Sequence, residues 1–155
     1  MTTAKKTLGL AGWILLCSLA GIFGAQFEPG TWYQLLNKPA WTPPNWIFPV
    51  VWPILYILMG ISVWMLWKMK ETSIWQTEFT WFFVQLILNA LWSWIFFGLH
   101  MIGTGLAEIL LLWISILFTT LLFWKRNHIA GILLIPYLAW VSYASALNFA
   151  IWHLN

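Results

Sequence analysis

The sequence predicts an all-α protein, an integral membrane bundle of five transmembrane helices. Of its 155 residues, 62% are hydrophobic and only 7% are charged, whereas about a quarter of the residues in a soluble domain are charged. The apolar residues form five runs, each close to the length of about 20 residues with which a helix crosses a bilayer. These predicted spans cover residues 7–27, 46–67, 75–98, 104–124 and 129–152. Since they take up most of the chain, we expect one membrane domain over residues 1–155.

The first span has a second interpretation, as a cleaved signal peptide. Lys5 and Lys6 precede its apolar run and Ala25 could mark a cleavage site, but Phe23 stands where cleavage requires a small residue. The run also has full spanning length, so we favour a membrane helix. Small residues on this helix are spaced for close helix contact, either in a dimer or inside the bundle: Ala20, Gly21, Gly24 and Ala25.

The basic residues lie at the ends of the spans and form no patch, which argues against a nucleic-acid partner. Lys38 lies in the first loop, and the other six bases fall on the opposite side of the membrane. By the positive-inside rule, we expect a cytoplasmic N-terminus, with the first loop and the C-terminus outside a bacterial cell membrane. The six bases on the predicted inner side are Lys5, Lys6, Lys68, Lys70, Lys125 and Arg126.

The first loop, residues 28–45, is the longest segment between spans. Its four prolines exclude a continuous helix, yet it carries Trp32, Tyr33 and Trp41. Such a loop can be a lid over a binding site or an aromatic anchor at the lipid headgroups, and both can hold. The remaining loops are short, so we expect consecutive helices to be antiparallel neighbours.

Amide and aromatic side chains recur on three of the predicted helices. Asn89 and Trp92 share one face of the third span with Gln85. Trp52 and Tyr56 lie one turn apart on the second span. These polar groups are either hydrogen-bonding contacts between helices or part of a functional site. On the fifth span the residues that share one face, or lie beside it, are Trp140, Ala144, Leu147 and Asn148.

The depths of these residues favour a pocket. Trp52, Asn89 and Trp92 lie roughly 9–14 Å below the predicted outer surface, counted by helix rise, and Ala144 falls in the same half of the membrane. An apolar pocket with a few polar groups is typical of a small-molecule site, and aromatic walls suit a flat, hydrophobic ligand. The deeper tryptophans should direct their indole N–H groups to other helices or a cavity; Trp94 and Trp113 are further examples.

Several kinds of chemistry have no residues to support them. The sequence contains no Asp, and Glu108, the acid expected within a span, lies about one turn from its outer end, whereas coupled transporters keep ionisable groups near the midplane. The three histidines fall at helix ends and Cys17 is the only cysteine, so we expect no disulfide, metal site or cofactor. Hydrolytic catalysis is also unsupported, because no nucleophile stands beside a base.

Two long motifs resemble one membrane family. From Trp32 the chain reads W-Y-x-x-L-x-K-P-x-W-x-P-P, followed by F-P-x-x-W-x-x-L-Y up to Tyr56. From Pro136 it reads P-Y-x-x-W-x-x-x-A-x-x-L-N-F. In these motifs, and in its length and five spans, the chain resembles the translocator proteins, also called tryptophan-rich sensory proteins or peripheral benzodiazepine receptors.

This resemblance implies a dimeric five-helix bundle that binds porphyrins, other flat apolar molecules and benzodiazepine-type ligands in a pocket under the first loop. It also implies a possible light- and oxygen-dependent breakdown of protoporphyrin, with Trp52 and Trp140 as the catalytic residues. The ligand-binding positions that the residues and the resemblance together predict are Trp32, Tyr33, Trp52, Tyr56, Asn89, Trp92, Trp140, Ala144, Leu147 and Asn148.

The cholesterol motif of the animal members is incomplete. It requires a Tyr followed within a few residues by Lys or Arg, but Phe149 and His153 occupy those places and no base follows Tyr143. Since the basic tail is also missing, we expect a bacterial member. Three functions then compete: a tetrapyrrole-binding receptor or carrier, a porphyrin-degrading enzyme, and a scaffold whose pocket is incidental.

Overall fold

The computed structural model describes residues 2–27, 29–69 and 76–155. Within these ranges the chain forms helices and no strand, which confirms the all-α prediction. A single 3₁₀ turn leads into the third helix, and a π-helical turn extends the fourth. The elements are α1 (Thr3–Gly24), α2 (Thr31–Leu35), the 3₁₀ turn (Asn45–Ile47), α3 (Phe48–Trp67), α4 (Thr77–Ser93), the π-helical turn (Trp94–Gly98), α5 (Ile102–Arg126) and α6 (His128–Leu154).

Five of these helices are long and apolar enough to cross a membrane, as predicted. They correspond to the five predicted spans, although the first begins at Thr3 and ends at Gly24 rather than covering 7–27. The predicted starts of the third span at Trp75 and of the first loop at Glu28, and the base Lys70, lie outside the described residues.

The five long helices form a closed ring. α1 packs against α3 and α4, while α6 packs against α3 and α5, and α5 completes the ring by packing against α4. The expectation that consecutive helices are neighbours is wrong for α3 and α4, whose described backbones do not pack closely. α1 packs against both of them and so lies between them in the ring.

Small residues bring α1 close to its neighbours. A Cβ atom on Gly60 of α3 would lie 2.7 Å from the Cα atom of Ile14. On α1, Gly21 faces the Tyr56 ring, and a Cβ atom on Gly24 would lie 3.1 Å from Ser93 Oγ. Gly21 and Gly24 therefore make contacts inside the bundle, and a dimer contact of α1 stays a prediction.

The π-helical turn lies where α4 approaches the first loop. The amide of Leu99 donates to the carbonyl of Trp94 (2.8 Å), and the chain then reverses at His100, whose φ of 58° is in the left-handed region. Trp94 itself is 40% exposed, so the expectation that it faces another helix or a cavity is wrong. Trp113 agrees with that expectation, because its indole N–H donates to Ser142 Oγ (2.7 Å).

At the opposite end of the bundle, an ion pair joins α4 to α5. Arg126 Nε donates to Glu78 Oε1 at 2.6 Å. We call this end the ion-pair end, and the end that carries residues 29–44 the loop end.

We predict that Gly60→Ala destabilises the bundle by about 1–3 kcal/mol, because the added methyl group has to push α1 away from α3. Gly12→Ala is the matched control, since nothing lies within 4 Å of the position of its Cβ atom. Thermal unfolding in detergent checks both variants. Equal midpoints for the two would contradict the close contact at Gly60.

Candidate functional site

A cavity of about 600 Å³ opens in the loop-end half of the bundle, between α1, α3 and α4. Most of its wall is apolar or aromatic, and a few hydroxyl and amide groups interrupt it. Ile22, which is 56% exposed, lies at its edge, so the cavity communicates with the surroundings of the bundle. The lining residues are Ser18, Gly21, Ile22, Gly24, Ala25, Phe27, Pro29, Asn45, Phe48, Pro49, Trp52, Pro53, Tyr56, Asn89, Trp92, Ser93 and Phe97.

Asn89 is the polar centre of the site. It is 4% exposed and accepts a hydrogen bond from the Tyr56 hydroxyl (2.6 Å). Its amide nitrogen donates to the Tyr137 hydroxyl (2.9 Å). These two bonds satisfy polar groups that would be costly to bury alone, and they join α3, α4 and α6 through one side chain.

Aromatic rings fix the walls on either side of Asn89. Trp52 is stacked on Tyr56 with 5.6 Å between ring centroids and 23° between planes. On α4, Trp92 is stacked on Phe96 at 5.2 Å, and its indole N–H donates to Asn148 Oδ1 (3.2 Å). The four predicted residues Trp52, Tyr56, Asn89 and Trp92 thus line one cavity.

The remaining space comes from α1, whose contribution sequence reasoning missed. Ser18, Gly21, Gly24 and Ala25 present small side chains or none to the cavity. The sequence pattern predicts only close helix contact for Gly21, Gly24 and Ala25, and it gives no signal for Ser18. These small residues of α1 also leave space for a ligand beside the aromatic rings of α3 and α4.

The predicted residues on α6 lie elsewhere. Leu147 is buried in a cluster with Tyr33 and Phe96, and Ala144 packs against the main core. Trp52 and Tyr137 pack edge-to-face, with 6.4 Å between their ring centroids. Because these rings fill the space between α3 and α6, the α6 face does not reach the cavity in this conformation.

Trp140 also lies outside the cavity. It borders a second, shallower groove of about 450 Å³ between α3 and α6, together with Val51, Ile54 and Pro136. The ring of Phe48, which lines the cavity, meets Trp140 at 5.9 Å and separates the two spaces. The Trp140 indole N–H is buried with no hydrogen-bond partner among the described residues.

The first loop is fastened at several points. Trp32 is stacked on His100 at 4.3 Å, while Tyr33 packs against Phe97 at 5.4 Å. Neither residue lines the cavity, although Pro29 and Asn45 at the two ends of the loop do. Trp32 and Tyr33 therefore anchor the loop above the α4–α5 turn. Burial raises the pKa of the Tyr33 phenol, and Tyr143 adds to the effect, so this hydroxyl stays neutral.

Hydrogen bonds hold the rest of the loop. Lys38 Nζ caps α2 by donating to the carbonyls of Tyr33 (2.6 Å) and Leu36 (2.9 Å). The amide of Asn37 donates to Asn155 Oδ1 (3.0 Å), and Asn155 Nδ2 donates back to the carbonyl of Asn37 (2.9 Å). The loop is thus tied to the end of α6.

The described residues contain no group of three or more His, Cys, Asp or Glu side chains that could hold a metal ion. What the cavity offers is aromatic surface, small-residue space and a fixed amide. Those features suit the binding of a flat apolar molecule better than acid–base chemistry.

Comparison with known proteins places this fold and cavity in a family. The sequence pattern of the TspO/MBR family matches residues 13–153. The chain belongs to the TspO/MBR family. Members of that family with similar sequences include the tryptophan-rich protein TspO of Chlorobaculum tepidum, 44% identical over 97% of this chain and 98% of the relative. Protein CrtK of Rhodobacter capsulatus is 44% identical over 94% of this chain and 91% of its own length.

Animal members of the TspO/MBR family are also similar to the chain. The translocator protein of Bos taurus is 37% identical over 93% of this chain and 88% of its own length. Family membership and the five spanning helices establish a multi-pass integral membrane protein, and the names of the relatives are consistent with a membrane receptor. The resemblance found in the two motifs is confirmed.

We predict that Asn89→Leu destabilises the bundle by about 1–3 kcal/mol, because it leaves the buried hydroxyls of Tyr56 and Tyr137 without partners. Adding Tyr56→Phe and Tyr137→Phe to this variant should recover part of the loss, since the unpaired hydroxyls are then gone. Thermal unfolding in detergent measures both steps. A further fall in the triple variant would contradict the role assigned to Asn89.

Proposed function

We propose that the protein is a membrane receptor or carrier that binds tetrapyrroles and similar flat apolar ligands in the cavity between α1, α3 and α4. The observation that carries this proposal is the cavity of about 600 Å³ with Trp52, Tyr56 and Trp92 in its walls. This volume lies within the range of about 300–1,000 Å³ typical of small-molecule sites. Aromatic side chains in the walls favour a flat ligand that can stack on them.

Asn89 can orient such a ligand. A side-chain amide has two N–H donors and two acceptor lone pairs, and Asn89 uses one donor toward Tyr137 and one acceptor toward Tyr56. One N–H and one lone pair therefore stay available to a ligand in the cavity. Because both phenols hold the amide in place, little side-chain entropy is lost on binding.

The protein is proposed to lie in a bacterial cell membrane with the ion-pair end in the cytoplasm. Lys5, Lys6, Lys68 and Lys125 lie at that end, whereas Lys38 is at the loop end. The positive-inside rule then places the cavity in the outer half of the bilayer, with the first loop outside. Homodimer formation, transport and binding of benzodiazepine-type ligands follow from the resemblance and stay predictions.

We predict that protoporphyrin IX, added in the dark to purified protein in nanodiscs, quenches tryptophan fluorescence in a saturable manner. Gly21→Leu should weaken this binding about tenfold or more, because its side chain would occupy the cavity beside Tyr56. Gly12→Leu lies on the same helix with open space around it and should bind like the wild type.

Absence of saturable quenching in the wild type would rule out the proposed function. Equal affinities in the Gly21→Leu and Gly12→Leu variants would place the ligand outside this cavity. A Gly21→Leu variant that does not fold is replaced by Ile22→Trp, which narrows the cavity at its exposed edge.

A second candidate function, light- and oxygen-dependent breakdown of protoporphyrin, is favoured by the position of Trp52. Its indole lines the cavity and is stacked on Tyr56, so it can donate an electron to a photoexcited porphyrin bound beside it. Trp140, the other candidate catalytic residue, is separated from the cavity by Phe48.

We predict that illumination of the protoporphyrin complex in air gives a new absorbing product in the wild type if the protein is this enzyme. Trp52→Phe should abolish the product, whereas Trp140→Phe should retain it, because only the first tryptophan reaches the ligand. Absorption spectra recorded in light and in darkness make the comparison. Binding without a product in light leaves the receptor as the function.

A further inference from the structure

Glu108 on α5 is a buried acid that has no ion-pair or hydrogen-bond partner among the described residues. Its side chain is 7% exposed, and neither carboxyl oxygen has a hydrogen-bond partner in the described part of the chain. Acidic residues inside a membrane span are costly, and they usually pair with another group or act as the counter-ion of a ligand. Within the described part of the chain Glu108 has no such partner, so the partner can be a ligand.

The packing of α4 on α5 places Glu108 at the level of the cavity. At the ion-pair end Arg126 pairs with Glu78, and in the middle Trp81 is stacked on Phe118 at 4.9 Å. Continuing this antiparallel register brings Glu108 opposite Trp92. Glu108 thus lies at the level of Trp92, on a helix that contributes no residue to the cavity lining.

The contacts of Gly105, one turn from Glu108 toward the loop end, support this level for Glu108. A Cβ atom on Gly105 would lie 3.0 Å from the Phe96 ring and 3.6 Å from Asn148 Oδ1. Phe96 is the ring on which Trp92 is stacked. Phe96 therefore lies beside Gly105, and Trp92 and Glu108 both lie one turn further from the loop end.

The charged groups of the described chain cannot neutralise Glu108. Arg126 is engaged by Glu78 at the opposite end of the bundle. Lys38 at the loop end donates to three carbonyls of its own loop. The described bases Lys5, Lys6, Lys68 and Lys125 lie at the ion-pair end, whereas Glu108 lies near the loop end of α5. None of the described bases is placed to pair with Glu108, so a cation bound there would be a ligand.

We propose that Glu108 is the counter-ion for flat aromatic ligands that carry a protonated nitrogen, so that the ligand site extends past Trp92. This inference rests on the proposed function in using the same cavity, but it assigns a further class of ligand, the flat aromatic cation. The aromatic part stacks against Trp52 and Trp92, where a cation is also favoured by the ring faces. Its N–H group donates to the carboxylate, and charge-assisted bonds of this kind are the stronger ones.

Trp92 is the residue that has to move for this contact. Its indole is held by one hydrogen bond of 3.2 Å to Asn148, at the long end of the usual range, and by ring contacts to Phe96 and Phe97. Turning the indole aside opens the way from the cavity to Glu108. The ion pair formed with the ligand offsets the lost contacts.

The test compares two probes of the same shape in full-length protein in nanodiscs. 9-Aminoacridine is a flat cation with N–H donors at neutral pH, and acridine is its neutral isostere. Glu108→Gln keeps the shape of the side chain and removes its charge. Gln85→Leu is the matched control, because it removes another buried side chain whose carbonyl oxygen has no partner, deeper in the bundle.

We expect Glu108→Gln to weaken binding of 9-aminoacridine about tenfold or more, as for loss of a charged hydrogen bond, and to leave acridine binding unchanged. Glu108→Asp should keep the preference for the cation, and Gln85→Leu should bind both probes like the wild type. Protoporphyrin IX should displace 9-aminoacridine from the wild type. An equal change for the two probes, or no change for either, would overturn the role of Glu108.

The two proposals fail separately in this design. If protoporphyrin neither binds nor displaces the cation, while Glu108→Gln still weakens binding of the cation alone, the tetrapyrrole function is wrong and the counter-ion stands. If protoporphyrin binds but the cation shows no dependence on Glu108, only the counter-ion is wrong.

Discussion

Asn89 and the two phenols bonded to it are the interaction on which the rest of the site depends. Tyr56 and Tyr137 approach the amide from α3 and α6 at 2.6 and 2.9 Å, and the amide itself belongs to α4. In hydrocarbon, separating these polar groups would cost free energy, because each would lack both water and a hydrogen-bond partner. The contact therefore fixes the relative position of three helices whose backbones are not all adjacent. Because α3 and α4 meet through side chains rather than backbone, space remains beside them, and that space is the cavity.

The five spans could be predicted from the sequence because hydropathy over a window of about 20 residues depends only on the solvent. The order of the helices around the ring could not. Short loops favour neighbouring helices, but in this ring α1 lies between α3 and α4, and no local pattern in the chain records this. The predicted starts at Glu28 and Trp75 lie outside the described residues and stay predictions.

The candidate site shows the same division between local and global information. Helical periodicity correctly grouped Asn89 with Trp92 and Trp52 with Tyr56, because residues on one helix face move together. It could not say which face of α6 meets which neighbour, so Ala144 and Trp140 were placed in a pocket that they do not line. The sequence pattern also predicts only close helix contact for Gly21. In the structure Gly21 packs against the Tyr56 ring and lines the cavity as well. Hydropathy places Glu108 within a span, but the lack of a hydrogen-bond partner for its carboxyl group among the described residues depends on how the helices pack.

The π-helical turn at Trp94–Gly98 has a consequence for how the chain tolerates changes in length. One extra residue in a helical turn rotates everything beyond it by about 100°. Here the wide turn lets Trp92 touch both Phe96 and Phe97, which an ordinary helix would turn to different sides. Removing a single residue between Ser93 and Gly98 would restore regular winding and swing His100 away from Trp32. The number of residues in this stretch therefore determines whether His100 can stack on Trp32 of the first loop.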